Sequence, residues 1–283
     1  MKLPRRLFGL ALAAAAATSL AVPASAQSAT QELTRESVIE TIKQDGVIRI
    51  GLSLFVPWSM RDKNGDLIGF ELDVGRKLAE DMGVEVEFVP TAWDGIIPAL
   101  VSGNFDVIIS GMSVTAQRNL TINFTQPYAY SGLAILANKE LTAGMTVEDL
   151  NSPDVTFTAR RGATPAVVIA DNFPEANLLL FDEDGASAQE VLNGNAHATM
   201  ASQPTPNREA GRNPETLYVM DSDLFDPRGE GFAVRKGDPD AMNYFNNWIA
   251  QHWRSGWSPV NFADFSFMRR WRFDDRRGSA VVG

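Results

Sequence analysis

The sequence predicts an α/β protein built from two successive sets of strand–helix alternation, each a mostly parallel sheet with flanking helices. Three observations carry this. Residues 47–109 run in the order β-α-β-α-β, and the same alternation restarts after Gly132. Apolar runs such as Phe105–Ile109 are short, β-branched and nearly uninterrupted, as in strands buried on both faces. A chain of 283 residues with 45% hydrophobic side chains has room for two domains of modest size.

Taken in order, residues 1–26 carry Lys2, Arg5 and Arg6, a Leu/Ala-rich run from Leu7, and Ala24-Ser25-Ala26 before Gln27. That is the layout of a cleaved secretory signal, so the mature chain is expected in the periplasm. The pair Arg5-Arg6 leaves both the general and the twin-arginine export routes open. Polar residues 27–45 end in a short helix around Val38–Lys43. Val47–Leu52 is a strand, followed by Phe55-Val56-Pro57-Trp58, where two aromatics cluster and proline ends the ladder. Asp62–Asp66 has hairpin-turn chemistry, Phe70–Met82 has helical spacing with Gly83 as its stop, and Val84–Val89 is a strand. Trp93-Asp94-Gly95 opens the next helix, which stops at Gly103 and leads into Phe105–Ile109.

After that strand, Ser110-Gly111-Met112-Ser113 are small residues that let a ligand approach the backbone, and Thr115 is placed to cap a short helix. Free N–H groups at such a crossover attract an anion, and Arg118 can add a two-pronged grip on a carboxylate. An ordinary loop with a surface arginine is the competing reading.

Gly132–Ala137 begins the second set. Strands are expected at Val155–Thr158, Leu178–Phe181 and Ala196–Ala201, and helices at Pro165–Asp171 and Ala188–Leu192. The chain is expected to turn around Phe225–Gly229, give a strand at Gly231–Val234 and a helix at Pro239–Trp253, and end in an arginine-rich polar tail from Phe262. The resulting layout is a signal peptide at 1–26, the first part of lobe 1 at 27–130, lobe 2 at 131–229, and the return of lobe 1 with the tail at 230–283. Hinges are expected near Tyr130–Gly132 and Arg228–Gly231.

Composition excludes several functions. The chain has 25 Lys+Arg against 35 Asp+Glu, and three of the basic residues fall in the first 26, so the mature protein is acidic and suits neither nucleic acid nor anionic lipid over a broad face. It has no cysteine, hence no disulfide, thiolate site or lipidated N-terminal cysteine. Two histidines, His197 and His252, argue against histidine metal sites and triads, and no cofactor is expected.

The sequence resembles the periplasmic solute-binding proteins of polar amino-acid ABC transporters, the bacterial extracellular solute-binding family 3. The pieces that carry the resemblance are Gly69-Phe70-Glu71-Leu72-Asp73-Val74, Trp93–Leu100, Phe105–Met112, Thr115 with Arg118, and Phe124–Tyr128. The resemblance implies a two-lobed clamshell that closes on one small carboxylate-bearing ligand and is presented, as a monomer, to an ABC permease. It implies that Arg118 holds the ligand carboxylate with help from Ser110, Ser113 and Thr164, and that Phe55 and Trp93 sandwich the ligand side chain. Gly111 and Trp58 are added as candidates from their places beside these residues, and Arg160 for its positive charge near the cleft.

One departure bears on the ligand. Members that bind amino acids carry an acidic residue for the α-ammonium where this chain has Ser202, and the often acidic position before Ser53 is Leu52. The ligand expected is therefore a carboxylate whose nitrogen is absent, acylated, in a ring, or alkylated and held against Phe55, Trp58 or Trp93, with backbone carbonyls, Gln203 or Glu230 as the alternative acceptors for a free ammonium. Periplasmic dehydratases of the cyclohexadienyl or arogenate type share the clamshell and are the alternative. The acidic catalytic residue they need just after Ser202 is missing from Gln203-Pro204-Thr205, so the chain is expected not to be an enzyme.

Overall fold

The computed structural model describes residues 37–183 and 185–255 in full, and the backbone of 271–274 and 279–282. The signal-peptide reading of residues 1–26 lies outside the described residues. The first helix, α1 (Val38–Asp45), starts where Ser37 Oγ accepts from Ile39 N and stops at Gly46, which takes the left-handed conformation. Strand β1 (Val47–Leu52) follows, then the hairpin of β2 (Met60–Arg61) and β3 (Leu67–Ile68). Helix α2 (Phe70–Met82), strand β4 (Glu85–Pro90), helix α3 (Trp93–Val101) and strand β5 (Val107–Ile108) complete the expected alternation. Helix α4 (Ala116–Asn119) is the short helix capped by Thr115, whose Oγ1 accepts from Arg118 N, and β6 (Asn123–Phe124) follows it.

The chain then enters β7 (Ala129–Asn138), β8 (Thr156–Arg160), α5 (Thr164–Asn172), β9 (Asn177–Phe181), α6 (Ala186–Leu192), β10 (Ala198–Ser202), α7 (Thr205–Arg212) and β11 (Leu217–Val219). It returns through β12 (Phe225–Glu230) to β13 (Ala233–Val234) and the long helix α8 (Pro239–Ser255).

Besides two two-stranded hairpins, the described residues form two larger sheets, in the orders β4-β1-β5-β13-β6 and β11-β7-β10-β8-β9, with β12 paired to β7. Parallel pairing holds where helices cross over, at β1–β4, β1–β5, β8–β9 and β8–β10. Antiparallel pairing marks the strands that carry the chain out and back: Ala129 pairs with Glu230, Tyr130 with Gly229 and Ser131 with Arg228. Each sheet buries its own apolar cluster. The first includes Ile48, Ile50, Trp58, Leu78, Tyr128, Phe232, Phe245 and Trp248, and the second Ile135, Phe157, Ile169, Phe173 and Met200. The aromatic stripe of α8 is core, as expected.

Two expectations change. Phe225–Gly229 is strand, not turn. It pairs along β7 with a register irregularity between Phe225 and Arg228, where Asp226 has φ 47, and the edge position tolerates Pro227, which has no N–H to give. Within the expected polar tail, β14 (Trp271–Asp274) and β15 (Ser279–Val282) pair antiparallel.

A tight contact under the first sheet gives a direct check on this packing. A Cβ on Gly51 would sit 2.3 Å from the ring of Phe105, which is fully buried. Gly51→Ala should destabilise the fold by about 1–3 kcal/mol through overpacking. Gly95→Ala, in a helix with nothing within 4 Å of the added carbon, should be neutral or stabilising. Urea midpoints that coincide for wild type and Gly51→Ala would show that the contact is dispensable.

Candidate functional site

The carboxyl ends of β1 and β5 and the loops that follow them face the start of α5 and the end of β10. A cavity of about 350 Å³ lies there, within the range of ligand pockets. Its walls include Phe55, Trp93, Gly111, Ser113, Arg160, Thr164 and Ser202, so seven of the ten sequence candidates line one space although they come from both lobes.

The backbone prepares these positions. Ser53 N donates to Ser110 Oγ at 2.8 Å, tying the end of β1 to the loop after β5. Gly111 has φ 55, and a Cβ there would meet the Phe55 ring at 2.7 Å, so only glycine fits beneath the aromatic wall. Gly111 N donates to Tyr128 Oη at 3.0 Å, and Tyr128 donates to the Glu71 carboxylate.

Arg118, from α4, is not on the cavity wall itself but lies beside two residues that are, Ser113 and Trp93. Its Nη1 donates to Ser113 O at 3.0 Å and its Nη2 to Gly162 O at 3.3 Å, so one guanidinium spans the two lobes. It lies 5.4 Å from the Trp93 ring centre, and Trp93 Nε1 donates to the same Gly162 carbonyl at 3.1 Å. Burial, with a smaller contribution from the charge of Arg228, pushes the Arg118 guanidinium down to about 10, still charged at neutral pH. Arg160 makes the reciprocal reach from lobe 2. Its Nη2 donates to Ser53 Oγ at 2.8 Å and its Nη1 to Leu54 O at 3.3 Å, with the guanidinium 5.7 Å from the Trp93 ring centre. Arg161 points outward to Asp182. Thr164 is the first residue of α5 and Ser202 the last of β10, so both sit at element ends facing the cavity.

Two candidates fall elsewhere. Trp58 is 1% exposed and belongs to the first-sheet core: it stacks on Phe55 at 5.7 Å and meets Phe70 edge-on at 5.5 Å. It backs the aromatic wall and does not face the cavity, because the loop after β1 folds back through the Phe55–Ser59 bridge and turns it inward. Ser110 is fully buried behind Gly111, where its hydroxyl serves the Ser53 backbone.

Beneath the floor lie two acids that the sequence does not mark as a pair; Glu230 entered only as a candidate acceptor for a ligand ammonium. Glu230, on the returning strand, is 1% exposed; Ser131 Oγ donates to its Oε1, and its Oε2 is buried without a hydrogen-bond partner. Burial pushes this carboxyl up to about 8, with Ser131 opposing. Glu71 is likewise raised well above its usual range, by burial and then by the nearby Glu230, with Tyr128 and the Gly111 backbone opposing. No local motif signals this pairing, since the two glutamates are far apart in the chain and meet only when β12 closes against β7.

The profile of the bacterial extracellular solute-binding proteins, family 3, matches residues 48–259. The L-cystine-binding protein TcyJ of Escherichia coli (strain K12) is 26% identical over 239 residues, 84% of this chain and 89% of that protein. The cyclohexadienyl dehydratase of Pseudomonas aeruginosa is 26% identical over 217 residues, 76% of this chain and 81% of that protein. Among solved structures, the putative binding component of an ABC transporter from Wolinella succinogenes, complexed with lysine, superposes with a TM-score of 0.72 at 35% identity, covering 79% of this chain and 99% of that one.

The buried acid sets a pH dependence of stability. Between the ordinary glutamate value of 4.5 and about 8, folded Glu230 keeps a proton that the unfolded chain has released, so stability falls as pH rises through that window and levels off above it. The neutral isostere in Glu230→Gln should flatten this slope, leaving the residual dependence of Glu71. Unfolding midpoints measured from pH 4.5 to 9 check it; an unchanged slope in the variant would show that Glu230 ionises as freely folded as unfolded.

Proposed function

We propose a ligand and a mode of action from one premise, that the chain belongs to the bacterial extracellular solute-binding proteins, family 3. As a member it binds a small carboxylate-bearing solute of the amino-acid type and works with an ABC permease. The proposed mature protein is a periplasmic monomer, released from its signal peptide and free of cofactors, that closes about the crossing strands β7 and β12 when ligand binds.

The half-buried guanidinium of Arg118, bonded to carbonyls on both lobes, is the observation that carries this reading. A cation fixed in a desolvated cleft, within reach of both lobes and backed by an aromatic face, is suited to a carboxylate and does not need the ligand to supply much orientation of its own. On binding, the ligand carboxylate takes the guanidinium fork beside Ser113, with Thr164 completing the grip from lobe 2, and the ligand side chain lies against Phe55 and Trp93. At the nitrogen end Ser202 offers one neutral hydroxyl. A primary ammonium there lacks an anionic acceptor, so the proposed ligand carries its nitrogen substituted, in a ring, or not at all.

The dehydratase reading is supported by the similarity to the Pseudomonas enzyme and by Glu209, a carboxylate on the cavity wall. Binding is favoured over it because the turn after Ser202 presents Thr205, whose hydroxyl donates to Val56 O at 2.9 Å and is not a titratable acid. Dehydration of prephenate or arogenate followed by ultraviolet absorbance separates the two readings: turnover above the uncatalysed rate favours the enzyme.

Arg118→Ala should leave the urea midpoint close to wild type, since the side chain sits at a domain cleft and not in either core. It should weaken ligand binding by about 2–5 kcal/mol, roughly two to three decades of affinity, because it removes one partner of a desolvated ion pair. Calorimetry showing affinity within a few-fold of wild type would take Arg118 out of the site.

A further inference from the structure

Residues 229–231, where β12 ends, are tied to the outgoing chain and to the loop after β5 at once. Tyr128 N donates to Glu230 O at 2.9 Å. Glu230 also forms a backbone bridge with Ser113, flanked by Val114 N donating to Gly229 O at 2.9 Å and Gly231 N donating to Met112 O at 3.2 Å. Ser113 O is the carbonyl that takes Nη1 of Arg118, so a shift of the Glu230 peptide shifts the acceptor that orients this guanidinium. The junction has little slack. A Cβ on Gly229 would overlap the ring of Pro127, and one on Gly231 would meet the Thr125 carbonyl at 3.1 Å.

An anion is poorly accommodated there. Glu230 is 1% exposed, Ser131 Oγ donates to its Oε1, and its Oε2 is buried without a hydrogen-bond partner. Around it, α2 brings Glu71 and the approach to β7 brings Tyr128. Both hold their protons tightly, Glu71 through burial and then the charge of Glu230, and Tyr128 through burial and then the charges of Glu71 and Glu230. On its own strand Arg228 is paired with Asp226, and on the loop side Arg118 bonds to Ser113 O and Gly162 O. A carboxylate so placed either takes up a proton or draws in water, and drawing in water loosens the junction.

We propose that Glu230 is a positioning residue for ligand binding: as a neutral acid it holds Ser113, and through it Arg118, in the geometry that grips a carboxylate, and as an anion it releases them. The inference rests on the reading of Arg118 as the carboxylate site. Its consequence is that binding is linked to a proton. With the junction packed, burial pushes the Glu230 carboxyl up to about 8, and a form in which the junction has opened to water holds that proton less tightly. The gripping form is thus the more protonated one. Affinity is highest at low pH, falls by up to about one decade per pH unit as pH rises toward about 8, and levels off above it.

The test takes the compound that gives the largest thermal shift at pH 6 from a panel of the twenty common amino acids, succinate, glutarate and glycine betaine. Its affinity is measured by calorimetry from pH 5.5 to 9.5. Wild type should lose at least about tenfold in affinity over that range, and at pH 7.5 the heat should differ between phosphate and Tris buffers because binding takes up protons. Glu230→Gln keeps the shape and the acceptor for Ser131 without the charge, so its affinity should not show the fall and its heat should not depend on buffer. Ser131→Ala leaves Glu230 in place but removes a hydrogen bond that favours the anion, so the fall should move to higher pH. A role confined to folding would not produce that shift. A flat wild-type profile, a fall that persists in Glu230→Gln, or a fall that Ser131→Ala leaves unmoved overturns the proposal while leaving the site at Arg118 in place. If no compound of the panel binds at pH 6, the reading of the site at Arg118 fails, and the role of Glu230 with it.

Discussion

The guanidinium of Arg118 is the group on which the rest of the site depends. It comes from a four-residue helix fixed by the Thr115 cap, and it bonds to carbonyls on both lobes while lying beside Trp93. Arg160 mirrors it from the opposite lobe, reaching Ser53 and Leu54. Two cations thus flank one indole and cross the cleft in opposite directions. Burial, with a smaller contribution from Arg228, depresses Arg118 to about 10, and two like charges around one indole favour an anion among them. Closure and carboxylate binding become the same event on this view: the ligand supplies the negative charge that lets both arginines stay in a dry cleft.

Beneath the cleft the chemistry inverts. Glu71 and Glu230 lie buried under the floor, linked to it by Tyr128 and Gly111, and both hold their protons more tightly than free carboxylates. Glu230 sits where the returning strand pairs with the outgoing one, and Ser131 on that outgoing strand holds it. The raised pKa of the acid at this crossing links its ionisation to the stability of the fold.

What the sequence made legible was local. Thr115 and Arg118 stand three residues apart, so a cap and the side chain it positions could be read together, and the glycine stop at Gly83 fixed a helix end directly. The α/β alternation was legible because its strands are short apolar runs between helices. Three features were not. Trp58 has the composition of a cleft aromatic, and only the fold-back of the loop after β1 turns it into the core. β12 was hidden by Pro227 and Gly229, residues that signal turns but are tolerated on an edge strand. Helix α7 was hidden by Pro204, Pro206 and Gly211, residues that signal turns although proline is tolerated in a first helical turn.

The central claim is that a carboxylate closes the two lobes through Arg118. The chain has no cysteine, so Lys63→Cys and Glu175→Cys, both exposed and on different lobes, give a unique pair of spin labels. Pulsed dipolar distances would be recorded with and without whichever of a panel of amino acids, dicarboxylates and zwitterionic osmolytes gives the largest thermal shift, in wild-type and Arg118→Ala backgrounds. The account predicts that ligand shortens and narrows the distance distribution in the wild-type background and leaves it unchanged in Arg118→Ala. A distribution that does not respond to ligand in the wild-type background, or that closes equally well without the arginine, would contradict it.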